Sequence, residues 1–334
     1  MHTTAVRLSA LSLTLLGILC ASNAQASCGS GACSINTNWD EHGLSNPGWS
    51  ADLRYSYSRA GTLRSGSNKI TVNPTDMATY AAGDEVENLR SINQLVTATL
   101  DYTYDDHWGV MLHLPYVMRD HNHSLADPAT PGYESFTAKA LGDIKVVGRY
   151  RWALDETSHS GMGVKFGLKL NTGKKDFVIA QSGEVPTEAT LQPGNGSTDL
   201  ILGAFWQQAT PGNNWSWFAQ GTVQSSINSS ATFRPGNQIN LDGGTRYAFS
   251  RNLSGLLQLN SQWNSTDSGI SAALTPTGAA SSGGNSLSFT PGLSYAFTPS
   301  TQLYGLLQLP IYQYVNGEQL TASSSISVGI NHRY

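Results

Sequence analysis

Two short stretches carry the side chains best suited to redox or metal chemistry. "SCGSGACS" sets Cys28 and Cys33 apart by four small residues. In an oxidising compartment such a pair reads first as a disulfide, and second as a metal or redox element on a tail. C-x4-C is a poor metal spacing, and the C-x-x-C-H of haem attachment is absent. "RDHNHS" sets His121 and His123 two apart. On a strand they share a face and could hold one metal ion. With no third ligand beside them, the expectation is a solvated pair near a strand end, and no metal site is assigned.

Other catalytic patterns are missing. No Ser, His and Asp set stands out for acyl transfer, and His113 is the one histidine in the middle of an expected interior face. There is no Walker loop and no GxGxxG within a β-α-β unit. An enzyme is not expected, and no cofactor is implied. A net charge of -4 without a basic stripe gives no footprint for nucleic acid.

A larger set of charges recurs on one parity of alternating segments. It comprises Asp52, Arg54, Asp101, His113, Arg119, Asp143, Lys145, Arg149, Arg151, Lys165, Lys169, Asp199, Asp242, Arg246 and Arg333. In "DIKVVGRYRW" the charges alternate with Ile144, Val146, Tyr150 and Trp152. In "LSGLLQLNSQW" the polar face is Ser254, Gln258, Asn260 and Gln262, opposite Leu253, Leu257, Leu259 and Trp263. Alternation of this kind is the signature of a strand with one apolar face.

About twelve such strands are expected, near 48–64, 88–104, 107–123, 136–153, 162–177, 195–209, 214–230, 236–249, 253–268, 284–298, 302–316 and 320–334. Each exceeds the roughly 5–6 residues of an ordinary soluble strand. Links such as "DDH", "TPGNN" and "SRN" are short, whereas 65–87, 120–135, 175–194 and 266–284 are long and rich in Gly, Pro, Ser or Asn. Short turns at one end and long loops at the other point to an all-β, transmembrane, antiparallel up-and-down barrel. In lipid every backbone N–H and C=O needs an internal partner, so the sheet must close. Tyr and Trp near strand ends fit interfacial girdles.

The N-terminus fits that setting. "LSALSLTLLGIL" after Arg7, ending in Ala24-Gln25-Ala26, reads as a signal peptide over residues 1–26. Residues 27–47 then form a periplasmic tail bearing the cysteine pair, and 48–334 the barrel. Both mature termini are expected on the periplasmic side. The final "SISVGINHRY" puts Ile326, Val328, Ile330, His332 and Tyr334 on one parity. It reads as the closing strand, and a terminal aromatic resembles the signal by which barrel-assembly machinery recognises its clients, which makes Tyr334 the candidate. If the apolar parity faces outer-membrane lipid, the charged set lines the lumen. Lys or Arg at mid-bilayer would cost about 2–4 kcal/mol on the other face. Most of these charges are expected to brace the wall by pairing. Any open path would mildly favour anions, since bases outnumber acids.

One stretch carries a family resemblance. "LKLNTGKKDF" followed by "LQPGNGSTDLILGAFWQQ" resembles the outer-membrane barrels named after the MetA-pathway of phenol degradation. Leu170, Thr172 and Gly173 match the first motif, with Asn171 in place of Pro. Gly194, Gly196, Asp199 and Gly203 match the second. The resemblance implies a transport-like barrel and no catalytic residues. The cysteine pair and the "WDEHG" tail stand outside that pattern. The leading expectation is therefore a passive channel for small organic, conceivably aromatic, molecules. The alternative is a non-conducting scaffold that docks a periplasmic metal or redox protein through its cysteine-bearing tail.

Overall fold

The computed structural model describes residues 47–71, 85–125, 132–155, 160–179, 185–186, 189–210, 212, 214–230, 233–269 and 281–334. The signal segment, nearly all of the tail and both cysteines lie outside the described residues. Strands β1 (Gly48–Gly66), β2 (Asn68–Lys69), β3 (Glu85–Thr103), β4 (Trp108–Leu125), β5 (Gly132–Leu141), β6 (Lys145–Asp155) and β7 (Ser160–Lys169) come first. They are followed by β8 (Val178–Ile179), β9 (Val185–Pro186), β10 (Thr198–Ala209), β11 (Trp215–Asn228), β12 (Gln238–Ala248), β13 (Leu253–Asn264), β14 (Gly284–Thr298) and β15 (Thr301–Arg333). The described residues contain no helix.

One antiparallel sheet follows chain order and closes by pairing β15 with β1. Two features reconcile it with the twelve strands expected from alternation. β5 and β6 both pair with β4 and together form one wall strand, broken at 142–144. β15 doubles back: Thr301–Val315 runs along β14, and Val315–Arg333 along β1. The two halves touch, as where Gln313 Nε2 donates to the Ala322 carbonyl at 2.9 Å. The small β2 and the β8–β9 pair stand outside this ring.

The parity of each strand sets its two faces. At the closure Leu53, Tyr55 and Tyr57 lie opposite Ile330, Val328 and Ile326, and all six are exposed. Between them Ser56 faces Ser327 with hydroxyls 2.8 Å apart. The outward side of β13 and β14 is likewise Leu257, Leu259, Trp263, Phe289 and Leu293. This apolar surface is what a bilayer accepts, while the buried polar residues need partners across the interior. The start of β1 meets the last residue at the short-turn end, where the Tyr334 amide donates to the Trp49 carbonyl at 2.9 Å.

Two expected elements differ from the observed ones. The strand expected over 162–177 leaves the wall after Lys169. Of the link that follows, the described residues 190–195 turn inward. Leu191 is buried in a cluster with Ala60, Leu63, Phe136, Ala138 and Leu320, which come from β1, β5 and β15 across the interior. Pro115 marks the level at which this happens. Below it β4 pairs with β6, above it with β5, and its carbonyl accepts the Gly142 amide at 2.9 Å. A proline gives the ladder no N–H there, so a change of partner costs little at that point.

Candidate functional site

The site grows from the break between β5 and β6. Asp143 sits in it, buried, with its carboxylate turned to the inward loop. Its Oδ1 accepts the amides of Thr172 at 3.2 Å and Gly173 at 2.9 Å, and its Oδ2 the amide of Asn195 at 3.2 Å. One side chain thereby holds both ends of the loop. The backbones meet between those ends: the Gly194 amide donates to the Lys174 carbonyl at 2.8 Å. A Cβ on Gly173 would stand 2.7 Å from the Gly194 Cα, so glycine is required by the approach itself.

Lys169 completes the clamp. Its ammonium lies 3.0 Å from Asp143 Oδ2 and 3.4 Å from Asp199 Oδ2. It also donates to Ser197 Oγ at 3.0 Å. Asp199 in turn accepts from Ser197 Oγ and from Gln224 Nε2 at 2.6 Å. The register explains why two acids are needed. Lys145 lies directly opposite Lys169, and His113 opposite Lys145. Like charges in register repel, and Asp143 and Asp199 neutralise them from the flank. Buried ammonium and carboxylate groups are tolerated only with such pairing and hydrogen bonds.

The other expected interior charges have defined places. Arg149 crosses over Gly109 to β3, donating to Asp101 Oδ2 and Thr103 Oγ1 at 2.5 Å each. Arg119 donates to Asn93 Oδ1 at 2.7 Å and to the Thr190 carbonyl of the inward loop at 2.9 Å. His113 Nδ1 is 3.0 Å from Thr99 Oγ1. Lys145 and Lys165 donate to the amide oxygens of Gln224 and Gln220, both at 3.1 Å. Asp242 accepts from Gln220 and Asn260, and Asp52 from the buried Tyr304 hydroxyl at 2.9 and 3.0 Å. Arg151 binds the Asp106 carbonyl at the short-turn end. Arg54, Arg246 and Arg333 are half-buried on the same parity.

The histidine pair departs from its expected setting. His121 and His123 are not solvated: both are buried on the inner side of β4, with His123 Nδ1 3.3 Å from His121 Nε2. β5 extends alongside and places Phe136, itself buried, opposite His121. Among the described residues no three His, Cys, Asp or Glu side chains gather as metal ligands.

Between the clamp and the far wall lies a cavity of about 410 Å³. Arg119, Asp143, Lys145, Lys169 and the loop residues Thr190 and Gln192 form one side. Gln262, Ser288, Gln308 and Gln319 form the other, with Phe233 and Leu320 between them. A focus on charge overlooks this second side, although Gln262 already stood on the polar parity of its strand. At its rim, outside the strands, Asp267 accepts the Gly236 amide at 2.8 Å. Burial pushes its carboxyl up to about 6, and the hydrogen bonds from Gly236 and Ser282 partly oppose that.

The family model for the MetA-pathway of phenol degradation matches residues 74–328. An outer membrane channel from Pseudomonas putida F1 superposes with a TM-score of 0.63 at 13% identity, covering 90% of this chain and 100% of that one. The NanC porin gives 0.45 at 11%, covering 85% and 100%. The toluene transporter TbuX of Ralstonia pickettii gives 0.42 at 10%, covering 87% and 90%. At such identities the likeness is one of fold. No curated protein matches.

Proposed function

Since the chain belongs to the MetA-pathway of phenol degradation family and forms an outer-membrane barrel, we propose that it is a passive channel for small organic molecules. The observation that carries this reading is the cavity inside the wall, bounded by a clamped inward loop rather than by a packed core. Its lining mixes amides and charges with Phe233, Val315 and Leu320, a composition suited to a compact organic solute with a few polar groups. In this reading the loop sets the bore, and the charges opposite it hold the loop. Arg149, Lys169 and their acids act as braces, while Lys145 and Arg119 line the passage and bear on selectivity. The long-loop end faces the outside and both termini the periplasm.

Planar-bilayer reconstitution tests it. The wild-type barrel gives reproducible single-channel steps, and Asp143→Ala, which frees both ends of the loop, gives larger or noisier ones. A wild-type protein that inserts yet never conducts overturns the channel.

A further inference from the structure

The inner wall changes character across β13, β14 and the first half of β15. None of Leu253–Asn264, Gly284–Thr298 or the residues 301–315 contains Asp, Glu, Lys or Arg. Their inward positions carry amides and hydroxyls beside the buried Leu256 and Leu306, and the polar ones fall into two groups that behave differently. The layer nearer the short-turn end is closed on itself. Thr290 Oγ1 donates to Asn260 Oδ1 at 2.7 Å, and Asn260 Nδ2 donates to Asp242 Oδ1 at 2.8 Å. The layer above it is Gln262, Ser288 and Gln308. They are 5%, 0% and 2% exposed, and all three line the cavity. Gln262 Nε2, Ser288 Oγ and Gln308 Nε2 have no hydrogen-bond partner among the described residues.

The register puts these three together. Ser288 lies opposite Asn260 on one side and Pro310 on the other, so Gln262 and Gln308 are its two diagonal neighbours. Each diagonal spans about 7–8 Å, and the two run to opposite sides of Ser288, so a small solute meets the hydroxyl together with either amide. Leaving a buried donor unmet is costly, and an aliphatic side chain would remove that cost. Two amide donors flanking a hydroxyl are instead arranged to be met by acceptor oxygens or nitrogens arriving from the cavity.

We propose that Gln262, Ser288 and Gln308 form a subsite that holds an uncharged solute by hydrogen bonds donated to its acceptor atoms. This deepens the channel reading and rests on it. An anion is disfavoured at these three residues, because no cation stands on their wall segments to offset its desolvation; Arg119, Lys145 and Lys169 lie on the opposite side of the cavity, already engaged by Asn93 and the Thr190 carbonyl, by Gln224, and by Asp143 and Asp199, and Asp267 lines the same cavity. The neighbouring Pro310, Val315 and Leu320 offer an apolar floor for the body of the solute.

Nicotinamide is a suitable probe, being neutral, water-soluble and equipped with a carbonyl and a ring-nitrogen acceptor. Nicotinate is its anionic control. Titrated calorimetrically into the purified full-length barrel in detergent, nicotinamide binds saturably and nicotinate at least about tenfold more weakly, because its charge must be desolvated at a wall without a cation. Gln262→Leu with Gln308→Leu lowers nicotinamide affinity by about tenfold or more. Should the double variant fail to fold, Ser288→Ala carries the test, with a smaller loss in the same direction. Equal binding by wild type and variants, equal binding of nicotinate, or no saturable binding at all overturns the subsite. Single-channel recording separates the two readings. Currents without binding remove the subsite and leave the channel, whereas binding without currents removes the channel and leaves the subsite.

Discussion

The wall from β3 to β10 and the wall from β13 to the first half of β15 solve the same problem in opposite ways. Both must line the inside of a closed sheet with polar groups. The first does it with charges, and each described charge is drawn into a pair or a hydrogen bond: Arg149 with Asp101, Lys169 with Asp143 and Asp199. The second does it with Gln, Asn, Ser and Thr, and its upper layer keeps donors unmet. The difference follows from energetics. An unpaired buried charge costs far more than an unpaired amide. Charges must therefore be satisfied in place and so become braces. Amides can be left for a passing molecule.

The largest test of this contrast lies in the clamp. Asp143→Ala leaves Lys169 with one acid instead of two and releases three backbone amides. Breaking a buried pair in this way costs about 3–5 kcal/mol, read as a lower urea midpoint in heat-modifiable gel mobility. A loss below about 1 kcal/mol would mean the charged arc is no brace.

Next comes the face assignment itself. Val146 and Arg149 lie three apart on β6, one exposed and one buried. Val146→Arg puts a cation in lipid and costs about 2–4 kcal/mol if it lies near the midplane. Leu112 and Leu168 flank it in register and share its face. Normal folding of this variant would reverse the two faces.

The neutral arc responds less, and in both directions. Thr290→Val removes the hydroxyl that satisfies Asn260 and costs about 1 kcal/mol. Gln308→Leu, one layer up, deletes an unmet donor and leaves stability unchanged or raised. If both variants lose stability equally, the two layers do not differ and the contrast fails.

The smallest effect is expected at Asp267. Burial holds its carboxyl at about 6, above its ordinary value of 3.8. The stabilising contribution of this group is therefore fully present below about 3.8 and is lost as pH rises through about 6. Asp267→Asn keeps an acceptor for the Gly236 amide but cannot ionise. Compared over pH 5 to 8, the urea midpoint of the wild type should fall relative to that of the variant. Parallel curves would show that Asp267 does not titrate in this range.

Alternation alone made the strands, their two faces and the closing role of "SISVGINHRY" readable, because a strand's side chains point to opposite sides with a period of two. It also placed Asp101, Arg149, Lys169 and Asp199 on the inner face. Pairing was not readable in the same way. Asp143 and Asn195 are 52 positions apart, and Arg149 and Asp101 48. The histidine pair shows the same limit, since the burial of His121 and His123 comes from parts of the fold outside their own strand. The motif residues Thr172, Gly173 and Gly194 were visible as a pattern, but nothing local says that they tie the two ends of one loop to a single carboxylate.

What the sequence by itself determined is therefore everything set by neighbours along the chain: strand, face, turn, and the balance of charge on each face. What only the tertiary structure decided is what closure sets. Sealing β15 against β1 fixes the register of the ring, and register chooses which charges meet. Closure also creates the inside that the loop from β7 to β10 enters. Leu191 is an ordinary loop leucine until the far wall supplies Ala60, Phe136 and Leu320 to bury it. An apolar side chain gains free energy only from the surface that covers it, and here that surface is contributed by residues distant in the chain.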